Sequence, residues 1–111
     1  MGVYASVESK VHVRFKQFST ENGLSSNLIF AMAQDSLGFL WLGTDFGLDR
    51  FDGTLFKHFR KDKYPNMHRE DLYYVDCMDG DVYIGGFSGT FQKYDRTTDS
   101  FTDMMPTELI P

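Results

Sequence analysis

The 111-residue chain has a single cysteine, Cys77. That excludes an intrachain disulfide framework and a cysteine-based zinc site. Within YYVDCMDGDVY it reads as a small core residue rather than a nucleophile. No apolar run approaches the roughly 20 residues of a membrane-spanning helix, so no direct membrane insertion is expected. The first ten residues, MGVYASVESK, lack the apolar core of a secretory signal. Met1, Gly2 and Ser6 match the short myristoylation pattern, which is often fortuitous, and an internal start within a longer chain is the better explanation. Positive charge is in deficit too. Lys and Arg number 11 against 16 Asp and Glu, for a net charge of -5. An acidic surface repels phosphate backbones, which argues against nucleic acid as a partner. The one basic cluster, FKHFRKDK (Phe56 to Lys63), contains an aspartate and reads as a solvated strand end.

Aromatic residues are plentiful. The 11 Phe and 6 Tyr suit the half-buried surface of a sheet. They also recur. GFLWLGTDFGLDRFD (Gly38 to Asp52) has a weaker partner in GDVYIGGFSGTFQKYD (Gly80 to Asp95). Gly38 aligns with Gly80, Trp41 with Tyr83, Leu42 with Ile84, Gly43 with Gly85 and Gly47 with Gly89. One inserted residue then brings Leu48 onto Phe91, Phe51 onto Tyr94 and Asp52 onto Asp95. The offset is 42 residues at the start and 43 at the end. Such a period, built of short strands, is the mark of a propeller blade.

The strand character holds locally. Phe39 to Leu42 and Val82 to Ile84 are short β-rich runs bounded by glycine, too short and too punctuated for helices. Asp45-Phe46-Gly47 and Phe87-Ser88-Gly89 read as hairpin turns. Asp52-Gly53 and Asp95 to Asp99 read as turns into Phe-rich closing strands. NLIFAMAQD (Asn27 to Asp35) and DLYYVDCMD (Asp71 to Asp79) read as inner strands buried on both faces. Helix is the competing reading for LIFAMAQ. VHVRFKQFS (Val11 to Ser19) reads as a lone closing strand, its Phe15 and Phe18 spaced like Phe56 and Phe59.

The fold class expected is therefore all-β: two four-stranded antiparallel β-propeller blades plus one preceding outer strand, a fragment of a larger propeller. Residues 1–10 are expected to be disordered or extended and residues 11–19 to form the orphan strand. Residues 20–60 and 61–105 would be the blades, and residues 106–111 a tail.

The segment Gly23 to Gly53 resembles the two-component regulator propeller repeat of bacterial sensors. It carries GLSSN (Gly23 to Asn27), DSLG (Asp35 to Gly38), WLGT (Trp41 to Thr44) and GLDRFDG (Gly47 to Gly53). The second copy departs from the pattern, with Tyr83 for Trp41, Gly86 for Thr44 and a shortened turn at Asp79-Gly80. The resemblance implies an extracytoplasmic, non-catalytic sensory module of a hybrid histidine kinase. It also implies the remaining blades of a parent propeller, or self-association, as partners and an oligosaccharide as a ligand. The loops at Asp45-Phe46, Phe87-Ser88, Glu21 to Ser25 and Tyr64 to Arg69 are the candidate binding loops, with Phe46 and Phe87 able to stack on a sugar, although packing between blades is the stronger reading for both. A propeller-type lyase or hydrolase and a protein-interaction scaffold are the alternatives.

The signature residues are expected to be architectural. Gly43 and Gly85 permit close strand packing. Gly47 and Gly89 suit positive φ. Trp41 supplies a large apolar surface whose indole N–H needs a partner. Asp35 and Asp52 can accept backbone N–H bonds at turns. Gly38, Gly80, Tyr83 and Asp95 complete the set. No catalytic residue, metal or cofactor is expected. His12, His58 and His68 lack ligand spacing, and Asp45, Asp49 and Asp52 lack the pattern of a calcium loop. Asp45 to Gly47 spells the kinase Asp-Phe-Gly triplet without any other kinase element.

Overall fold

Every short apolar run flanked by glycine or a polar turn becomes a strand. The computed structural model describes residues 3–8, 13–18, 23–86 and 89–104, the first two segments as backbone only. Ten strands follow in chain order. They are β1 (Val3–Glu8), β2 (Val13–Phe18), β3 (Ile29–Gln34), β4 (Leu40–Thr44) and β5 (Gly47–Phe51), then β6 (Phe56–Phe59), β7 (Tyr74–Met78), β8 (Asp81–Gly85), β9 (Phe91–Asp95) and β10 (Ser100–Met104). Strands β3 to β6 form one antiparallel sheet in sequence order, and β7 to β10 form another. LIFAMAQ is thus strand, not helix: its place in a sheet overrides the helix propensity of Ala, Leu and Met.

The pairing reproduces the sequence repeat. Gly43 lies opposite Leu48, and its counterpart Gly85 lies opposite Phe91. Leu40 lies opposite Phe51, and Val82 opposite Tyr94. The inserted residue is therefore taken up in the turn after β8, and the register beyond it is preserved.

Two expectations need correction. The strand at Val13–Phe18 is not alone. It pairs antiparallel with β1, from Val3 opposite Phe18 to Glu8 opposite Val13. The N-terminal VYASVE alternates with period two, a pattern of half-buried strands. It lacks the glycine punctuation that marked the others. Secondly, β3 and β7 are not buried on both faces. Each is an edge of its sheet, mostly half-buried, and Met32 is 43% exposed. The wholly buried strand is β4, the neighbour of β3. A run of apolar letters does not distinguish an edge from an interior strand.

The main core lies between the two sheets. Trp41, Leu48 and Phe59 of the first meet Val75, Val82, Ile84, Tyr94 and Phe101 of the second. Tyr64, Met67 and Leu72, from the connection between the sheets, close it. Phe59 sits at its centre, with ring contacts to Trp41, Tyr64, Tyr94 and Phe101 at 4.9 to 6.0 Å. Close approach depends on Gly43. A Cβ there would lie 2.8 Å from the Leu72 carbonyl oxygen and from Val75 Cγ2.

The opposite face of the first sheet carries a second, smaller cluster, beside which Met32, paired with Leu42, stays exposed. Leu24, Leu40, Leu42 and Phe51 are buried there, with Ile29 and Phe56 alongside. The far face of the second sheet carries Tyr74, Asp76, Tyr83 and Lys93, all half-buried.

Candidate functional site

The loops gather at two ends of the paired sheets. One end holds the β4–β5 turn, the β8–β9 turn and the segments leading into β3 and β7. The other holds the turns after β3, β5, β7 and β9.

The first end is tied together by backbone. Gly47 N–H donates to the Glu70 carbonyl at 2.6 Å, and Leu72 N–H to that of Thr44 at 2.9 Å. The Thr44 hydroxyl, fully buried, donates to the Gly47 carbonyl and accepts from Phe46 N–H. Gly47 has φ +105°, and a Cβ there would meet the Phe59 carbonyl oxygen at 2.6 Å. The turn is therefore rigid, and it holds Phe46 out with half of its surface exposed. The Arg60 guanidinium stacks on the Phe46 ring at 4.4 Å and donates to the Phe46 carbonyl and the Ser25 hydroxyl. The other aromatic candidate, Phe87, lies outside the described residues, as do Glu21 and His12.

Beneath this surface a polar latch recurs in both sheets. Asp49, fully buried on β5, accepts from Ser25 N–H at 2.6 Å. Gln92, at the matching place on β9, accepts from His68 N–H at 3.0 Å. Ser25 and His68 are 43 residues apart, as are Asp49 and Gln92. Buried Leu24 and Met67 keep the same spacing. The repeat thus includes the lead-in segments, and this shared spacing is the signal that sequence reading missed.

His58 Nδ1 approaches Asp49 Oδ1 at 2.7 Å and Ser25 Oγ at 2.9 Å. A serine, a histidine and an aspartate therefore meet, but not as a nucleophilic triad. A relay needs the acid and the hydroxyl on opposite ring nitrogens. Here both lie on the same nitrogen, and Ser25 Oγ bonds Asp49 directly at 2.6 Å. His68 Nε2 pairs separately with Asp103. The acidic trio suggested by sequence is dispersed. Asp45 lies in the exposed turn, Asp49 is buried, and Asp52 lies at the other end.

At the other end the aspartates organise turns. Asp35 Oδ1 accepts from Leu37 and Phe39 N–H. Its Oδ2 accepts from Trp41 Nε1 at 2.8 Å and from Arg96 at 3.0 Å. Burial would raise this carboxyl, but those four bonds outweigh it and hold it below the ordinary range. Asp52 accepts from Thr54 and Leu55 N–H, and Asp95 from Thr97 and Thr98 N–H. Gly38 and Gly80 take φ +91° and +83° beside these turns. Tyr83, the counterpart of Trp41, is only half-buried on the far face. Tyr94 and Tyr64 donate their hydroxyls to Asp99, and burial followed by that bond raises the Tyr94 phenol. Burial also pushes the Cys77 thiol up to about 11. That is the behaviour of an unreactive packing residue.

These two sheets are adjacent β-propeller blades. Residues 23–46 match the family described as two component regulator propeller. The chain is similar to histidine kinase P4 of Formosa agariphila, 46% identical over 46 residues, which are 41% of this chain and 3% of that protein. The fold is similar to the extracellular domain of the hybrid two component system BT3049 from B. thetaiotaomicron, with a TM-score of 0.68 at 19% identity. That likeness covers 83% of this chain and 14% of the other. The chain thus spans a small part of each relative.

Proposed function

We propose that this chain is part of the sensor region of a two-component system, where its blades help to recognise a ligand outside the cytoplasm. The observation that carries this reading is the repeat at residues 23–46, folded as a propeller blade. The residues of that repeat build rather than react. Asp35, Trp41, Gly43 and Thr44 are all used in turns or in packing between blades.

The ligand surface is the lead-in end. Phe46 stands out from a turn held by buried bonds, and rigid presentation of a ring suits stacking on a saccharide. The neighbouring blades of a larger propeller complete the surface. Copies of this chain could take their place.

Saccharide arrays of arabinans, mannans and other glycans, probed with the intact sensor and its Phe46→Ala variant, test the reading. Binding that weakens in the variant supports it. Absence of saccharide binding by the intact sensor overturns the glycan assignment.

A further inference from the structure

We propose that Arg50 and Lys57, at the turn end of the first blade, form a binding site for a small oxyanion or carboxylate. The two residues lie directly opposite one another on β5 and β6 and share one face of the sheet. Like charges in this relation repel and destabilise a strand pair. The blade does not require them. At the same place in the second blade Lys93 lies opposite Thr102, and Lys93 has a carboxylate partner, Asp81, at 3.9 Å.

Arg50 is the less compensated of the two. Its guanidinium lies over Phe39 at 4.9 Å, Trp41 at 5.6 Å and Phe59 at 6.0 Å. Its Nε is buried with no hydrogen-bond partner. Among the described residues, Arg69 and Arg96 pair with carboxylates and Arg60 donates to two oxygens, whereas Arg50 has no carboxylate within ion-pair distance and acts on Asp52 only from further off. Lys57 is only partly neutralised. Its Nζ is 3.7 Å from Asp99, an acid that two tyrosine hydroxyls already share.

The space is present too. An open depression of about 200 Å3 is lined by Arg50, Asp52, Leu55, Phe56 and Lys57. Asp52 is part of this lining; its Oδ1 is engaged by the N–H groups of Thr54 and Leu55, and its charge offsets part of that of Arg50. Aromatic stacking orients the guanidinium, and a planar fork beside an ammonium suits an anion's oxygens. A bound anion would relieve the cross-strand repulsion. This site is independent of the saccharide surface at the other end.

The test uses the purified chain in Tris chloride at constant ionic strength, titrated with inorganic phosphate or glucuronate. Thermal unfolding and, for phosphate, 31P line broadening report binding. Stabilisation beyond that of chloride is expected, with affinity about tenfold weaker in Lys57→Gln, as for loss of one charge-assisted bond. Arg50→Lys keeps the charge and loses the fork, so it should weaken glucuronate as well. Response to phosphate alone assigns the site to a tetrahedral oxyanion, and response to glucuronate alone to a carboxylate. Stabilisation by neither, or equal binding by Lys57→Gln, overturns the proposal. Lys57 is half-exposed, so its variant reads the site even where Arg50→Lys fails to fold.

Discussion

Arg96, in the turn after β9, donates to Asp35, in the turn after β3, at 3.0 Å across 61 residues of sequence. The same Asp35 oxygen accepts the indole N–H of Trp41. One carboxylate therefore closes its own turn, satisfies the largest core side chain and ties the two blades together.

The carboxyl of Asp35 is held below its ordinary 3.8 in the fold. The unfolded chain therefore takes up this proton at higher pH than the folded chain. Stability from this group is complete above 3.8 and is lost as pH falls through the lower folded value. Asp35→Asn should cost about 1–3 kcal/mol at pH 7 by removing charged acceptors from buried donors. Urea midpoints between pH 3 and 7 should fall for the wild type below pH 4 and change less for the variant. Parallel curves would contradict this.

Gly43→Ala should destabilise by about 1–3 kcal/mol, because its Cβ would strike the Leu72 carbonyl and Val75 across the blade interface. Gly53→Ala meets no atom within 4 Å but must hold φ +107°, so it should cost about 1 kcal/mol. Chemical denaturation of both variants ranks packing against backbone strain.

Phe59→Ala and Phe46→Ala should separate core from surface. Phe59 is fully buried among four aromatic rings, and its removal should cost about 3–5 kcal/mol. Phe46 is half exposed, so its loss should stay within about 1 kcal/mol. A large stability loss at Phe46 would make it a structural residue and remove it as a ligand contact.

Cys77 should alkylate slowly. Its thiol is raised from 9.0 to about 11, which lowers the thiolate fraction near pH 8 by about 100-fold. Iodoacetamide labelling of native and urea-unfolded chain at that pH should differ by at least this factor. Equal rates would show that the strand opens freely.

The sequence by itself determined where most strands lie and that they repeat. Runs such as Phe39 to Leu42, the glycines beside them and the Asp52-Gly53 turn act through local backbone preference, so their effect can be read within a few residues. The 42- and 43-residue offsets then paired Gly43 with Gly85 and Phe51 with Tyr94, and the registers agree. β1 escaped because only its alternation marks it. The tertiary structure alone decided which apolar strand is buried, since β3 and β4 look alike in letters but occupy an edge and an interior place. It also decided the partners of the polar side chains. Ser25 reaches Asp49 across 24 residues, Arg60 reaches Ser25 across 35, and Arg50 comes to lie opposite Lys57. Side-chain hydrogen bonds and charge contacts depend on distances of a few ångströms between segments far apart in the chain. No local pattern encodes those distances until the sheets have packed.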